Sequence, residues 1–252
     1  MRSFSEVCSY VITRQYSARC VALVSCLAHT VVGLLAFSAF AQVASSEWLE
    51  DFELHSLDNW YLPRPSHWER VVIEGNGVLH LAVGGPIGTN PRRPVKFAIL
   101  ADPCLVDFAL SVKLKKDPIK GESDLIVVFA YQDKEHFYYV HLSNDTGDVS
   151  VHNGIFKIDG ADRERIAGKG STPALPDSAW HQVAVIHDHP TSTVRVYIDG
   201  ESKPRFQVSG HPIPFGRIGL GSFNNSGMFD ELHLDGTAWD HCSAEINSPL
   251  DH

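Results

Sequence analysis

The chain has 252 residues, 44% of them hydrophobic, with 21 Lys+Arg against 30 Asp+Glu for a formal charge of −9. That is enough apolar material for one sizeable core, and the acidic balance argues against a partner such as nucleic acid or an anionic membrane. No Gly-x-Ser-x-Gly elbow, His-Glu-x-x-His helix, Cys-x-x-Cys pair or Walker loop occurs in the sequence, which removes the enzyme and metal classes those motifs signal.

At the N-terminus Arg2, Arg14 and Arg19 precede an apolar run from Val21 to Ala41 that closes on Ala39-Phe40-Ala41. Residues 1–41 are expected to be a signal peptide cut before Gln42, with a membrane anchor as the alternative, since about 20 apolar residues span a bilayer. Cleavage removes three basic and one acidic side chain and leaves 18 Lys+Arg against 29 Asp+Glu, formally −11. The expected product is secreted or periplasmic, without a membrane segment, folded over 42–240 and followed by a tail, 241–252. Of five cysteines, Cys104 and Cys242 remain; in an oxidising compartment they are either one disulfide or two thiols.

Short stretches of period two, separated by Gly, Pro, Asn and Asp, fill the rest. Trp48 to Leu54 puts Trp48, Phe52 and Leu54 on one face, and Val78 to Val83 does the same for Leu79, Leu81 and Val83. The segment Gly84 to Pro94 is too rich in breakers for regular structure. Val106, Phe108, Leu110, Val112 and Leu114 face one way, Asp107, Ser111, Lys113 and Lys115 the other. Leu125 to Gln132 is nearly all apolar and reads as a strand covered on both faces. Glu135 to Ser143 alternates Phe137, Tyr139 and His141 with Tyr138, Val140 and Leu142. Segments 116–122 and 159–179 read as loops, and Trp180 to Ile186 pairs with Thr193 to Asp199 in a hairpin. Arg217 to Phe223 places Ile218, Leu220 and Ser222 together, while Gly219 and Gly221 leave room for a neighbouring backbone. After the turn Asn224 to Gly227, the residues Asp230, Leu232 and Leu234 share a face. About a dozen such strands and no long helical pattern predict an all-β fold, a two-sheet antiparallel β-sandwich. Phe108, Leu110, Val128, Val196 and Leu232 are expected to meet in its interior.

Two passages carry a family resemblance. Trp180-His181-Gln182-Val183-Ala184-Val185 leads into Val194-Arg195-Val196-Tyr197-Ile198-Asp199-Gly200, and Gly216-Arg217-Ile218-Gly219-Leu220-Gly221-Ser222-Phe223 precedes Gly227-Met228-Phe229-Asp230-Glu231-Leu232. Over about residues 47–236 the chain resembles concanavalin A-like, laminin G-like jelly-roll domains, which implies that fold and either a carbohydrate or a protein partner. Phe137 to Leu142 also looks like a segment of secreted bacterial jelly rolls related to 3-keto-disaccharide hydrolases.

The candidate site is a polar and aromatic group on and after the strand ending at Ser143. Tyr139 and His141 share a face, and Asp145, Asp148, His152, Asn153 and Arg163 follow within a hairpin's reach. On the concave sheet of such a fold, sugars stack on aromatics and their hydroxyls meet His, Asn, Asp and Arg. Tyr139, Asn153, Arg163, Trp180, Phe223 and Asn224 are therefore the expected carbohydrate contacts. The competing readings are glycoside cleavage with His141, His152 and Asp145 or Asp148 in acid and base roles, a bare protein-interaction module, and plain packing of the tyrosines between strands. Glu122-Ser123-Asp124 lacks the third carboxylate of the Glu-x-Asp-x-x-Glu strand that jelly-roll glucanases carry. Trp60, Tyr61 and Trp68 form another aromatic group, divided between core and ligand. A structural Ca²⁺ between first and last strands would use Glu53 and Asp230; a backbone-amide partner for Asp230 is the alternative. His187-Asp188-His189 reads as a solvated hairpin turn rather than a metal site.

Overall fold

A computed structural model describes residues 45–239 apart from 55 and 150, together with Cys242. The leader expected over 1–41, and the tail other than Cys242, lie outside those residues. The described residues form fifteen strands and one 3-10 turn, Pro65–His67: β1 (Ser45–Glu50), β2 (Trp60–Tyr61), β3 (Trp68–Ile73), β4 (Asn76–Leu81), β5 (Lys96–Leu100), β6 (Leu105–Lys116), β7 (Asp124–Asp133), β8 (His136–Ser143), β9 (Gly154–Asp159), β10 (Glu164–Ala167), β11 (His181–Asp188), β12 (Thr193–Ile198), β13 (Phe206–Ser209), β14 (Arg217–Ser222) and β15 (Gly227–Ala238). Among the described residues no helix is long and apolar enough to cross a membrane.

The strands form two antiparallel sheets. One runs β13-β12-β11-β6-β15-β4-β3, with β1 also against β15; the other runs β10-β9-β8-β7-β14-β5-β2. Alternation decides what lies between them. Leu110, Val112 and Leu114 of β6, Val183 and Val185 of β11, and Leu232 and Leu234 of β15 meet Leu125, Val127 and Phe129 of β7 and Tyr138, Val140 and Leu142 of β8 in one interior. The other face of the second sheet carries its own apolar layer: Phe97 and Ile99 of β5, Ile126, Val128 and Tyr131 of β7, Phe137 and Tyr139 of β8, and Phe156 and Ile158 of β9. This is why β7 reads as apolar on both sides. Burying a Val, Leu, Ile or Phe side chain is worth about 1.5–3 kcal/mol, so both layers favour this register over a slip of one residue. At β14 a Cβ on Gly219 would stand 2.5 Å from Ile99 Cδ1, and one on Gly221 would collide with the Lys96 carbonyl; the two glycines let β14 lie directly against β5.

Several expectations are corrected. Val128 belongs to the outer layer, because the strand alternates and its neighbours Val127 and Phe129 take the interior. The first strand stops at Glu50: its Oε1 accepts the Phe52 amide at 3.0 Å and Phe52 turns to φ +53°, so Phe52 still reaches the core while Leu54 is 77% exposed. Likewise β4 ends at Leu81, leaving Val83 exposed. The segment 159–179 is not all loop, since it contains β10. Asp230 lies opposite Lys113, on the outer side of its sheet, and does not share a face with Leu232 and Leu234; Glu231, at φ +46°, bulges β15 and shifts the parity by one residue.

Cys104 and Cys242 are joined by a disulfide across a sequence separation of 138. Just before it, the Trp239 amide donates to the Cys104 carbonyl at 2.9 Å, so the link prolongs the β6–β15 ladder.

Candidate functional site

The outer layer of the second sheet becomes polar towards the C-terminal end of β8. Period two puts Tyr139 and His141 on this face, and the chain then folds through 144–153 into β9. That loop is held from inside. Arg165 Nη1 donates to the carbonyls of Gly147, Val149 and His152 at 2.7–2.9 Å, and Asn153 accepts the Ser143 amide at 2.8 Å while its own amide donates to the Asp145 carbonyl. His152 is thereby brought over His141, ring centroids 5.8 Å apart. Its Nδ1 lies 2.9 Å from Asp145 Oδ2 and its Nε2 3.6 Å from Glu122 Oε2.

Two loops close the other side. The Arg92 amide donates to Asp162 Oδ1 at 2.7 Å and the Arg163 amide to the Arg92 carbonyl at 3.0 Å, which joins the breaker-rich segment 84–94 to the turn after β9. Arg163 then reaches across the floor: Nη1 is 3.3 Å from Tyr139 Oη and 3.4 Å from His141 Nδ1, and the guanidinium carbon sits 4.1 Å from the Phe223 centroid and 5.4 Å from that of Phe156. Arg92 approaches the same Phe223 ring at 5.5 Å. Tyr139 stacks on Phe156 at 5.2 Å, and His141 lies parallel to Phe223 at 6.3 Å.

The electrostatics of this floor follow from its dryness. His141 is 1% exposed, and burial first, then the neighbouring Arg163, holds its pKa well below 6.5. The ring is neutral at neutral pH; with Nδ1 accepting from Arg163, Nε2 carries the proton and has no hydrogen-bond partner, its nearest carboxylate oxygen being Asp124 Oδ1 at 3.9 Å. Burial also raises Tyr139 and Asp124. Asp124 accepts from Ser222 Oγ and the Phe223 amide at 2.8 and 2.7 Å, and its own amide donates to Asn225 Oδ1 at 3.0 Å, which fixes the turn bearing Asn224 and Asn225 at the rim. Asp145 is shifted down by the Thr146 amide and by His152. Glu122, Asp145 and His152 place one ligand atom each within 4.8 Å of one another, two carboxylates and an imidazole that suit a divalent cation.

Tyr139, His141, Asp145, His152, Arg163 and Phe223 thus come together, with Asn224 at the edge. The others do not. Asn153 faces inward, fully buried at φ +47°, with both ends of its amide spent on the hairpin. Asp148 is exposed on the loop. Trp180 precedes β11 of the other sheet, beside His181, whose nitrogens bond Asp199 and Asp177 at 2.8 and 3.1 Å. Trp60 and Trp68 pack into the interior, whereas Tyr61 joins the outer layer. Glu53 Oε1 accepts the Gly77 amide at 2.8 Å, and Asp230 accepts from Asn76 Nδ2 at 2.8 Å and the Glu231 amide at 2.7 Å. His187 is buried against Phe108, behind an exposed hairpin tip. Arg92, Phe156, Asp124 and Glu122 were not expected here. The one local signal for Arg92 is the Arg-Arg-Pro at the end of a segment dismissed as irregular.

A family model described as the concanavalin A-like lectin/glucanases superfamily matches residues 96–238, from β5 to the end of β15. The chain belongs to that superfamily. Solved structures agree with this concanavalin A-like fold. The carbohydrate binding module CBM66 from Bacillus subtilis is similar at 12% identity and a TM-score of 0.50, over 71% of this chain and 96% of that one. Peanut lectin is similar at 12% identity and a TM-score of 0.51, over 78% and 99%. The GH43 protein BlXynB from Bacillus licheniformis gives 13% identity and a TM-score of 0.53, with 76% of this chain covering 39% of that one. No curated protein sequence matches the chain significantly.

Proposed function

We propose that this concanavalin A-like domain binds carbohydrate on the outer face of its seven-stranded sheet, over Phe223 and among Arg92, Arg163, His152, Asn224 and Asn225. The observation that carries the reading is the rim itself. An aromatic and imidazole floor too dry to hold charge is edged by half-buried and exposed hydrogen-bonding side chains of both polarities, the composition a hydroxyl-rich ring with one apolar face requires. Neighbours described as a carbohydrate binding module and a lectin, each covered almost completely, support it. The disulfide and the apolar N-terminal run support a place outside the cytoplasm.

Glycan arrays and polysaccharide pull-downs test the reading. The expected result is retention of the wild-type chain on a defined glycan set, weakened about tenfold or more by Asn224→Ala, which loses one or two hydrogen bonds at the rim. No retention by any glycan would end it.

One observation favours a second reading, glycoside cleavage. His152 stands between Asp145 and Glu122 at 2.9 and 3.6 Å, a histidine and two carboxylates within reach of a common point. Release of reducing ends from a retained glycan, abolished in His152→Ala, would establish it; binding without turnover would leave the domain a lectin.

A further inference from the structure

The rim is built for charge. The chain is acidic overall, yet Arg92 and Arg163 gather around one phenyl ring, at 5.5 and 4.1 Å from its centroid. Neither guanidinium has a carboxylate within ion-pair distance among the described residues. Arg163 spends Nη1 on Tyr139 and His141, both neutral, and Asp162 accepts the Arg92 amide at a carboxylate oxygen. Two like charges so placed repel each other, a cost that an anion received between them would offset.

Arg93 adds an independent sign. Its side chain is 8% exposed, and both Nε and Nη1 are buried without a hydrogen-bond acceptor. It is near enough to Tyr131 of the outer layer to oppose the upward shift that burial imposes on that phenol. Buried guanidinium N–H groups are rarely left unmade, because each costs the desolvation of a charged donor. The sequence Arg92-Arg93 and the facing Arg163 therefore offer unused donors, while the acidic pair Glu122 and Asp145 sits beyond His152 at the opposite end of the rim.

We infer that the saccharide bound here carries an anionic group, a carboxylate or a sulfate ester, received by Arg92 and Arg163 over Phe223. The inference rests on the carbohydrate reading above and narrows it to acidic glycans. The charge asymmetry of the rim also sets direction. The anionic group faces the arginines and neutral hydroxyls face Asn224, Asn225 and His152, since the reverse pose would set like charges against Glu122 and Asp145. Guanidinium forks suit both groups, as each presents two oxygens at fork spacing.

Matched pairs of oligosaccharides decide it: oligogalacturonate against its methyl ester for carboxylate, and carrageenan oligosaccharides against their desulfated, neutral counterparts for sulfate, titrated calorimetrically into the full chain. In at least one pair the charged member is expected to bind about tenfold to a hundredfold more tightly, with an advantage that shrinks between 50 and 500 mM NaCl. Arg92→Gln, at an exposed position, is expected to bring the charged member down to the level of the neutral one, and Arg92→Lys to restore part of the difference. The pair that responds names the anion. Equal binding of charged and neutral members, or a charge preference that Arg92→Gln leaves intact, would overturn the inference while the carbohydrate reading stands. Retention of no glycan at all would overturn both.

Discussion

Replacing Cys104 and Cys242 together by alanine is expected to lower the free energy of unfolding by about 5 kcal/mol, the loop entropy that a link across 138 residues removes from the unfolded chain. The position of the link makes that figure matter. It lies where β6 and β15 end, just beyond the pairing of Leu105 with Ala238, and β15 is also the strand against which β1 and β4 lie. Without the bond the last pairs of the ladder have only their own hydrogen bonds to hold them, each worth about 1 kcal/mol net. With a urea dependence of about 2–3 kcal/mol/M for a domain of this size, the unfolding midpoint should fall by about 2 M. Wild type in reductant should match the double variant, and the variant itself should ignore reductant. A loss below about 1 kcal/mol would show that the two ends are already close in the denatured chain, and the entropic account would fail.

What alternation could reveal in this chain, it did reveal. On β8 it separated Tyr138, Val140 and Leu142 from Phe137, Tyr139 and His141, and those are the interior and outer layers. Parity fails wherever the backbone leaves the extended region. Glu231 at φ +46° shifts β15 by one residue, so Asp230, counted with the leucines, faces outward, and Phe52 at φ +53° does the same to the end of β1. Neither residue is a glycine or an asparagine, so nothing local marks the bend. Period two also says which face a side chain takes but not which sheet its strand joins. Trp180 was counted with Phe223 among the expected sugar contacts, yet β11, which follows it, belongs to the opposite sheet. Arg92 was invisible for a further reason: its segment has no period, and its place beside Phe223 depends on contacts with Asp162 and Arg163, some 70 residues away. Asn153 misled in the other direction, as a polar residue in a loop whose amide serves the hairpin alone.

Acid should destabilise the domain through His187 by about 2–3 kcal/mol, in a window set by its two pKa values. His187 is 3% exposed, its ring 5.7 Å from Phe108 and 6.0 Å from His189, and burial, followed by the charge of His189, lowers its pKa from 6.5 to about 4. Asp107 and Asp188 pull weakly the other way. Between those values the unfolded chain holds the proton and the folded chain does not. The contribution is therefore complete above pH 6.5, falls as pH drops towards 4, and has no further slope below. Each unit of difference is worth 1.36 kcal/mol, reduced here for the partial solvation of a ring near a hairpin tip. His141, held low by burial and by Arg163, acts in the same sense, whereas Asp124 and Asp230, raised by burial, favour the folded state as they take up protons and offset part of the fall. The wild-type profile alone mixes these groups, so the measurement is a difference: urea unfolding of wild type and His187→Leu at pH 7.5, 6, 5 and 4. The cost of the substitution itself does not depend on pH and cancels. The variant should lose about 2–3 kcal/mol less than wild type between pH 7.5 and 4, and parallel profiles would show that His187 is protonated as readily in the fold as outside it.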